Sequence, residues 1–331
     1  MNMYPAIVSV GQGLPQHRLT NQELIKLTRA DITPQQIQDN TGIAERRWAE
    51  DELTSDLAEK AAMQALTAGG IDVSALTSIY LATCTPDQPS PNTASIVHGK
   101  LDAPEACLAV DLHASCAGGV IGLEAAAHRV MAEPDGSALV VGANTLSRSL
   151  DCTDPKTVAW FGDGAGAAVV QMCPDGQPVY SAMITQPNKQ ALQTTVPDSG
   201  DPCGIMHMND EQAVRRHAID IMSRATTTVA QKADLYHPDD GIDWSSIDYF
   251  IPHQANARLV EQVAQMVNVP QEKCILSSVA KHGNTSSASI FLALSEAVTS
   301  GQIKPGRSRA LFAAVGAGFV GGALLIDLVL P

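Results

Sequence analysis

Residues 107–131 read CLAVDLHASCAGGVIGLEAAAHRVM, and this stretch decides the fold. The apolar run 107–111 predicts a short buried strand, and the alanine-rich run that ends at Met131 predicts a helix that packs closely on its neighbours. Cys116 lies on the tight turn between the two. A strand that turns through small residues directly into a helix is typical of an α/β fold.

Cys116 has the setting of a nucleophile. The unpaired N–H groups at a helix N-terminus carry about half a positive charge in sum, which favours the thiolate over the thiol. A thiolate is a competent nucleophile near neutral pH, so we predict covalent catalysis at Cys116. A free cysteine is also often a buried structural residue, and the turn alone leaves both interpretations open.

The order of elements around Cys116 occurs a second time in the chain. In both cases a strand, a small-residue turn and a helix are followed by a Pro–Gly break, a strand, a glycine turn and a final strand. In the second case we expect a strand at 275–279, a turn at 282–287, a helix at 288–298 and strands at 309–315 and 323–326. Duplication predicts two related halves, 1–172 and 173–331, each with a mixed sheet and with helices packed between them.

Composition and charge narrow the classes of function. The chain has 331 residues, of which 45% are hydrophobic and only 4% aromatic, so the core is built mainly from Ala, Val, Leu and Ile. A net charge of −14 disfavours general binding to nucleic acid or to anionic membranes. An acidic carrier protein could still dock on a local basic patch. Arg215, Arg216 and Lys281 are candidates, although a solvated surface is the commoner explanation of such a cluster.

The cysteines and the N-terminus indicate the cellular setting. The seven cysteines form no C-x-x-C pair and have no zinc-like spacing to a histidine, so we expect neither a disulfide framework nor a metal site. There is no basic leader and no uncharged apolar run of about 20 residues, the length that crosses a bilayer. We therefore expect a cytoplasmic protein.

Two further polar residues lie on turns that resemble the Cys116 turn. Residues 249–252 predict a strand that ends at His253, where α/β proteins commonly carry functional groups. A helix over 257–267 should follow. Asn284 lies on the small-residue turn of the second half. A lone histidine is commonly structural and an asparagine before a helix is commonly a cap, but packing of the halves about a pseudo-twofold axis would bring both residues to Cys116.

Two other segments call for interpretation. Residues 187–210 are the least regular part of the chain, and such a segment either covers a site or connects elements at the surface. Residues 316–321 read GAGFVG and match the dinucleotide-binding pattern G-x-G-x-x-G. That pattern requires a following helix, a second strand and an acidic residue about 20 positions later. The chain ends at Pro331, so we predict a glycine turn between two strands.

Together, these motifs resemble those of the β-ketoacyl-ACP synthase III (FabH-like) family of thiolase-fold condensing enzymes. The resemblance covers nearly the whole chain and depends on six motifs in the family's order and at its spacing. They are TGIAERR at 41–47, ASCAG at 114–118, FGDGAGA at 161–167, PHQAN at 252–256, HGNTS at 282–286 and GAGF at 316–319. The resemblance implies an α/β thiolase fold with αβαβα layers.

The resemblance also implies the chemistry. Cys116 would accept an acyl group as a thioester. His253 and Asn284 would stabilise the enolate formed when a malonyl-type thioester loses carbon dioxide, and the backbone N–H groups of Cys116 and Ala317 would form a second oxyanion hole. Coenzyme A or acyl-carrier-protein thioesters would be the substrates, with no separate cofactor. The family's dimer-contact loop resembles residues 85–91, which implies a homodimer.

Several positions depart from the family pattern. The resemblance places substrate-binding residues at Arg258, Val214, Val315 and Phe161. The aromatic residue and the two cations that hold the adenine end of coenzyme A correspond here to Gln36, Asn40 and Pro155. Valine at 214 and 315 in place of larger aromatic residues implies a reshaped cavity and an acyl group larger than acetyl. Other residues of this chain could also rebuild the coenzyme A contact.

Three functions compete. The first is decarboxylative condensation, in fatty-acid initiation or in specialised, polyketide-like metabolism. The second is transfer of the acyl group from Cys116 to an alcohol or amine, but relatives that do this often replace the Asn or the Cys. The third is a non-catalytic subunit of a heterodimeric synthase, and such subunits usually lack the nucleophile. With Cys116, His253 and Asn284 all present, we predict condensation.

Overall fold

The computed structural model describes residues 2–195 and 204–331. The strands are β1 Met3–Gly13, β2 Arg18–Thr20, β3 Glu45–Arg47, β4 Leu76–Ala82, β5 Leu108–Leu112, β6 Ser137–Asn144, β7 Gly164–Pro174, β8 Tyr180–Thr185, β9 Leu192–Thr195, β10 Ile205–Met208, β11 Tyr236–His237, β12 Gly241–Ile242, β13 Tyr249–Pro252, β14 Gly306–Gly316 and β15 Val320–Leu330. The α-helices are α1 Asn21–Leu27, α2 Pro34–Thr41, α3 Thr54–Gly69, α4 Thr93–Leu101, α5 Gly118–Ala132, α6 Pro155–Val158, α7 Glu211–Lys232, α8 Ala257–Met266, α9 Val279–His282 and α10 Ser289–Thr299. Within these residues, none of the helices combines the length and the apolar character that crossing a membrane requires.

The main sheet contains strands of both halves. Its order is β13-β14-β15-β1-β7-β6-β4-β5, and β8 pairs with β15. The halves join where β1 and β15 run parallel, at the pairs Ala6–Asp327 and Ile7–Leu328. Each half mixes parallel and antiparallel pairs, as the sequence predicted. The two predicted sheets are therefore continuous through this short junction.

The apolar faces of the helices determine how the helices and strands are layered. Helices α5 and α10 lie in the middle, where their buried residues join side chains from both sets of strands in the largest core. Helices α3 and α4 cover the outer face of the first set of strands. Helices α7 and α8 cover the outer face of the second set. This arrangement is the αβαβα layering of the thiolase fold, and aliphatic side chains dominate every core, as the composition predicted.

The duplication is visible in the backbone of the two central turns. Ser115–Ala117 and Ser286–Ala288 each form one turn of 3₁₀ helix that leads into α5 and α10, respectively. The first residue of each turn has a left-handed backbone, with φ +47° at Ser115 and φ +55° at Ser286. Superposing the two motifs places Ser287 at the position of Cys116. The halves therefore share an unusual local conformation as well as an order of elements.

One predicted strand is wrong. Residues 275–279 form no strand, and the backbone at this place makes only a bridge between Phe250 and Cys274 and a hydrogen bond from Ile275 N–H to the Phe250 carbonyl, 2.9 Å. The chain enters α9 at Val279 instead. An apolar pair followed by two serines is too short to maintain a ladder once the backbone turns into a helix. The predicted elements at 249–252, 257–267, 288–298, 309–315 and 323–326 are confirmed within a few residues.

The segment 187–210 has more regular structure than its sequence indicates. Strands β9 and β10 pair antiparallel, from Leu192–Met208 to Thr195–Ile205. Residues 196–203, which contain Pro197, Gly200 and Pro202, lie outside the described residues. The GAGFVG segment joins β14 to the antiparallel β15, with Gly318 at φ +141°. The prediction of a glycine turn between strands is confirmed.

Candidate active site

One cavity brings together all the site residues that the sequence singled out. It has a volume of about 130 Å³ and lies where the ends of β13 and β14 meet the central turns. Its lining includes Cys116, Phe161, Val214, His253, Arg258, Asn284, Val315 and Ala317. These side chains come from both halves, so the cavity exists only because the halves pack together.

Burial and the helix N-terminus act in opposite directions on the pKa of the Cys116 thiol. Cys116 is half-buried and lines the cavity. Partial removal of water from its thiol raises the pKa of Cys116 to about 12, although a hydrogen bond from Ser286 acts in the opposite direction. Helix α5 begins only at Gly118, two residues after the nucleophile. Loss of water around the sulfur therefore opposes the partial charge of the helix N-terminus, and the thiolate at Cys116 stays a prediction.

His253 is held at the end of β13 by its backbone and its side chain. The backbone N–H of His253 donates to the Ala313 carbonyl at 2.8 Å, which extends the pairing of β13 with β14. Its Nδ1 lies 2.7 Å from Ser289 Oγ at the start of α10. Only 2% of the residue is exposed, and burial lowers the pKa of His253 to about 3. The imidazole is therefore neutral at pH 7, with Nε2 left for the cavity.

Asn284 is positioned by the first half of the chain. The backbone N–H of Asn284 donates to the Trp160 carbonyl at 2.8 Å, and its backbone carbonyl accepts from Gly162 N–H at 3.1 Å. Its side-chain Oδ1 accepts from Ser286 N–H at 2.8 Å. The amide nitrogen is therefore the group that remains for a ligand, and Asn284 presents a neutral donor beside His253.

The backbone near Ala317 comes close to the Cys116 turn. A Cβ on Gly316 would lie 2.5 Å from the Ala114 carbonyl oxygen and 2.9 Å from the Cys116 nitrogen. Only glycine permits this approach. Among the described residues, the N–H of Ala317 has no backbone acceptor. It is available for a carbonyl oxygen bound near Cys116.

Sequence reasoning missed a buried amide that connects the two halves. Asn144, at the end of β6, is fully buried, and its Oδ1 accepts from the backbone N–H of Cys84 at 3.0 Å. Its Nδ2 donates to Ser287 Oγ at 2.9 Å and to the Thr285 carbonyl at 3.3 Å. Asn144 thus fixes the Asn284 turn against the first half. A polar residue closing a run of buried apolar ones was the only signal for it.

A second cavity of about 170 Å³ is also lined by Cys116. It shares Cys116, Phe161, Leu192 and Ala317 with the first cavity. Its own lining is partly apolar and partly polar and includes Cys84, His113, Leu146, Gln193, Met206 and Ser286. Since Leu192 and Met206 belong to β9 and β10, the irregular segment 187–210 does cover a site in its described part.

The three positions that correspond to the family's contacts with the adenine end of coenzyme A lie in different parts of the structure. Gln36 accepts from Thr33 N–H at 2.8 Å in a capping box of α2, and Pro155 is the first residue of α6. Neither lines the first cavity, whereas Asn40 does. The same cavity is lined by Trp160 and Arg215. The sequence analysis did not single out the aromatic ring of Trp160, and it named Arg215 only as part of a possible basic patch.

Comparisons with known proteins agree with this geometry. Residues 110–187 match the family model of 3-oxoacyl-[acyl-carrier-protein] synthase III, and residues 238–328 match the model of its C-terminal part. A β-ketoacyl-[acyl-carrier-protein] synthase III of Neisseria meningitidis is 37% identical over 98% of this chain and 99% of its own. The 3-oxoacyl-[acyl-carrier-protein] synthase III of Aquifex aeolicus has a TM-score of 0.86 at 33% identity, covering 97% of this chain and 99% of that one. The priming β-ketosynthase of the R1128 polyketide pathway has a TM-score of 0.86 at 29% identity, covering 99% and 96%.

Proposed function

Because this chain belongs to the 3-oxoacyl-[acyl-carrier-protein] synthase III family, we propose that it loads an acyl group on Cys116 and condenses it with a malonyl-type thioester. The observation that carries this proposal is the convergence of Cys116, His253 and Asn284 on one cavity. A nucleophile and two neutral hydrogen-bond donors are what such a condensation requires. The reaction needs no cofactor beyond its thioester substrates.

The first half-reaction is a thioester exchange. Cys116 Sγ attacks the acyl carbonyl, the bond between that carbon and the donor sulfur breaks, and the thiol proton leaves with the released thiol. The N–H groups of Cys116 and Ala317 stabilise the oxygen on which negative charge develops. Because burial raises the pKa of Cys116, we place the transfer of this proton within the attack and not before it.

The second half-reaction forms a carbon–carbon bond. The bond between the α-carbon and the carboxylate of the malonyl-type thioester breaks, and carbon dioxide leaves. The electron pair of that bond stays on the remaining thioester and forms an enolate. His253 and Asn284 donate hydrogen bonds to the enolate oxygen, where neutral donors in a dry site are most effective. The enolate carbon attacks the acyl-cysteine, and the cysteine sulfur leaves and regains a proton. The product is a 3-oxoacyl thioester.

We propose that the acyl chain extends from Cys116 into the second cavity. That cavity begins at the nucleophile and has Leu146, Leu192 and Met206 in its wall. Its volume of about 170 Å³ exceeds what an acetyl group fills. Val214 and Val315 line the first cavity instead, so the room that they leave lies on the side where the thioesters enter. We therefore expect a donor with a larger acyl group than acetyl.

The entrance of the first cavity provides the charge for a phosphate-bearing thioester arm. Arg258 Nε donates to the Asp39 carbonyl at 2.7 Å, and Arg215 Nε donates to Gln262 Oε1 at 3.0 Å. The terminal nitrogens of both guanidinium groups make no hydrogen bond to other described residues. Arg216 and Arg215 continue into a neighbouring surface groove, which fits an acidic carrier protein. We propose that carrier-bound donors are favoured over coenzyme A.

Transfer of the acyl group to an alcohol or amine is the second candidate, and the geometry favours it less. Such an acceptor needs a base to remove its proton during attack. His253 is neutral, but burial disfavours the charged form that a base becomes. The chain retains the nucleophile and both donors, which also makes a non-catalytic subunit a poor description.

Mass spectrometry of the intact protein with a panel of acyl-thioesters tests this function. We expect one acyl group per chain, mapped by peptide analysis to Cys116, with none on the Cys116→Ala variant. Cys84→Ala, which removes the neighbouring thiol, should still be acylated and serves as the matched control. An acyl group on another cysteine, or on none, would contradict the proposal. A specificity constant that is highest for acetyl-coenzyme A would contradict only the choice of donor.

A further inference from the structure

The hydroxyl of Ser289 lies beside His253 and is absent from the family-based account of the site. Ser289 is the first residue of α10 and is 1% exposed. Its Oγ lies 2.7 Å from His253 Nδ1 and 3.3 Å from the backbone nitrogen of Gln254. We propose that Ser289 is a positioning residue that keeps the proton of His253 on Nε2. This inference rests on the proposed role of His253 as a hydrogen-bond donor.

The direction of the bond follows from counting donors and acceptors. Gln254 N–H donates to Ser289 Oγ, so this contact uses an acceptor site of the hydroxyl. The hydroxyl proton needs an acceptor of its own, because leaving a buried donor unpaired is strongly unfavourable. Among the described residues, His253 Nδ1 is the only acceptor within reach of Ser289 Oγ. Ser289 therefore donates and Nδ1 accepts.

The numbers of donors and acceptors around Ser289 Oγ also disfavour the other tautomer, in which His253 carries its proton on Nδ1. A proton on Nδ1 would direct two N–H groups, from His253 and Gln254, at one hydroxyl oxygen. The serine proton would then remain buried without an acceptor. A neutral imidazole carries a single proton, so acceptance at Nδ1 leaves that proton on Nε2. Nε2–H then points a donor into the cavity, which suits an enolate oxygen and does not suit a base.

The duplicated turns show that this hydroxyl is specific to the second half. Ser289 stands at the position that Gly118 occupies after the Cys116 turn. A Cβ on Gly118 would lie 2.7 Å from the Cβ of Ala82, so the first half has no room for a side chain there. In the second half the same position carries a side chain directed at His253. Equivalent positions of the two turns thus perform different tasks, close packing in one and orientation of a histidine in the other.

The tautomer can be observed without turnover. In protein labelled with ¹⁵N-histidine, two-bond ¹H–¹⁵N correlations distinguish the Nε2–H form, the Nδ1–H form and the imidazolium. The His253→Gln variant identifies the signals of His253 among the nine histidines. We expect the Nε2–H form in the wild type at pH 7 and a mixture of tautomers in Ser289→Ala. An Nδ1–H form or an imidazolium in the wild type would overturn the proposal.

Kinetics of the two half-reactions provide the second readout. Removing a donor to an oxyanion costs about 100–1,000-fold in rate, so loosening the tautomer in Ser289→Ala should slow decarboxylation by about tenfold. Acylation of Cys116 should stay within about twofold of the wild type. Ser289→Thr keeps the hydroxyl and should restore the rate and the tautomer. Ser295→Ala removes another buried hydroxyl from α10 and should change neither.

The outcomes separate the inference from the proposed function. Decarboxylation that is unchanged in Ser289→Ala, with the Nε2–H form retained, would overturn the role of Ser289 alone. An equal loss of acylation and decarboxylation would indicate a purely structural effect of Ser289 and would also overturn it. Absence of any acylation in the wild type would instead contradict the proposed function, and the tautomer measurement would still decide the inference.

Discussion

Cys116 lines two cavities, and its thiol lies close to Ser286 and Cys84. The partial positive charge of a helix N-terminus favours the thiolate, whereas burial favours the thiol. Burial raises the pKa of Cys116 to about 12. Burial and the helix N-terminus thus act on the proton of Cys116 in opposite directions, and the pH dependence of its reactivity shows which effect is larger.

The pH dependence of alkylation tests this balance. Because the reactive thiolate fraction grows about tenfold per pH unit below the pKa, the rate of Cys116 modification by iodoacetamide should rise from pH 7 to pH 9 without a plateau. Peptide mapping separates Cys116 from the other cysteines, and the exposed Cys152 serves as an internal control. A plateau near pH 7 would show that the helix N-terminus outweighs burial.

The two donors should affect only the second half-reaction. We expect His253→Gln and Asn284→Ala to slow decarboxylation of a malonyl-type thioester by about 100–1,000-fold, because each removes a hydrogen bond to the enolate. Acylation of Cys116 uses backbone N–H groups and should change little. Single-turnover measurements of both steps check this. Acylation that falls as far as condensation would rule out the assigned roles.

At the scale of elements, close backbone contacts keep the turns in register. A Cβ on Gly162 would lie 2.1 Å from the His282 carbonyl oxygen, and Gly162 N–H holds the Asn284 carbonyl. The loop after α6 and the turn before α10 are thus in direct backbone contact. The buried Asn144 adds a second connection between the halves. The geometry of Asn284 depends on both.

Substitution of glycine by alanine should reveal this contact. Gly162→Ala has to push two backbone segments apart, and overpacking of this kind typically costs about 1–3 kcal/mol in the free energy of unfolding. Gly99→Ala, inside α4 with open space around its Cα, should instead raise that energy by about 0.5–1 kcal/mol. Urea unfolding of both variants checks the difference. Equal changes would show that the contact at Gly162 is not tight.

At the scale of the whole molecule, one edge of the main sheet is open. β5 is the edge strand, none of its five residues is buried, and Leu108 is 42% exposed. An apolar edge strand with unpaired backbone groups is a template for pairing with another chain. β5 also leads directly to Cys116. Pairing of β5 with its copy in a second chain would place the second chain beside the catalytic turn.

We therefore predict a homodimer that forms through β5 and the adjoining loop 85–91. Light scattering at micromolar concentration should give twice the monomer mass of 34.8 kDa. Leu108→Lys should shift the protein toward the monomer because it places a charge in the interface. Met63→Lys, at a residue of α3 with 44% exposure, should leave the mass unchanged. A wild-type monomer, or a dimer unaffected by Leu108→Lys, would refute this interface.

The sequence by itself determined the class of fold, the duplication and the positions of the reacting groups. Alternation of apolar runs with small-residue turns is a local property, and it placed Cys116, His253 and Asn284 on turns before any contact was known. Tertiary structure alone decided the rest. Residues 275–278 form no strand before α9 begins at Val279, and burial raises the pKa of Cys116. Pairing and burial depend on residues far apart in the chain, so strand formation, proton affinity and the contact of Ser289 with His253 follow only from the packing of the two halves.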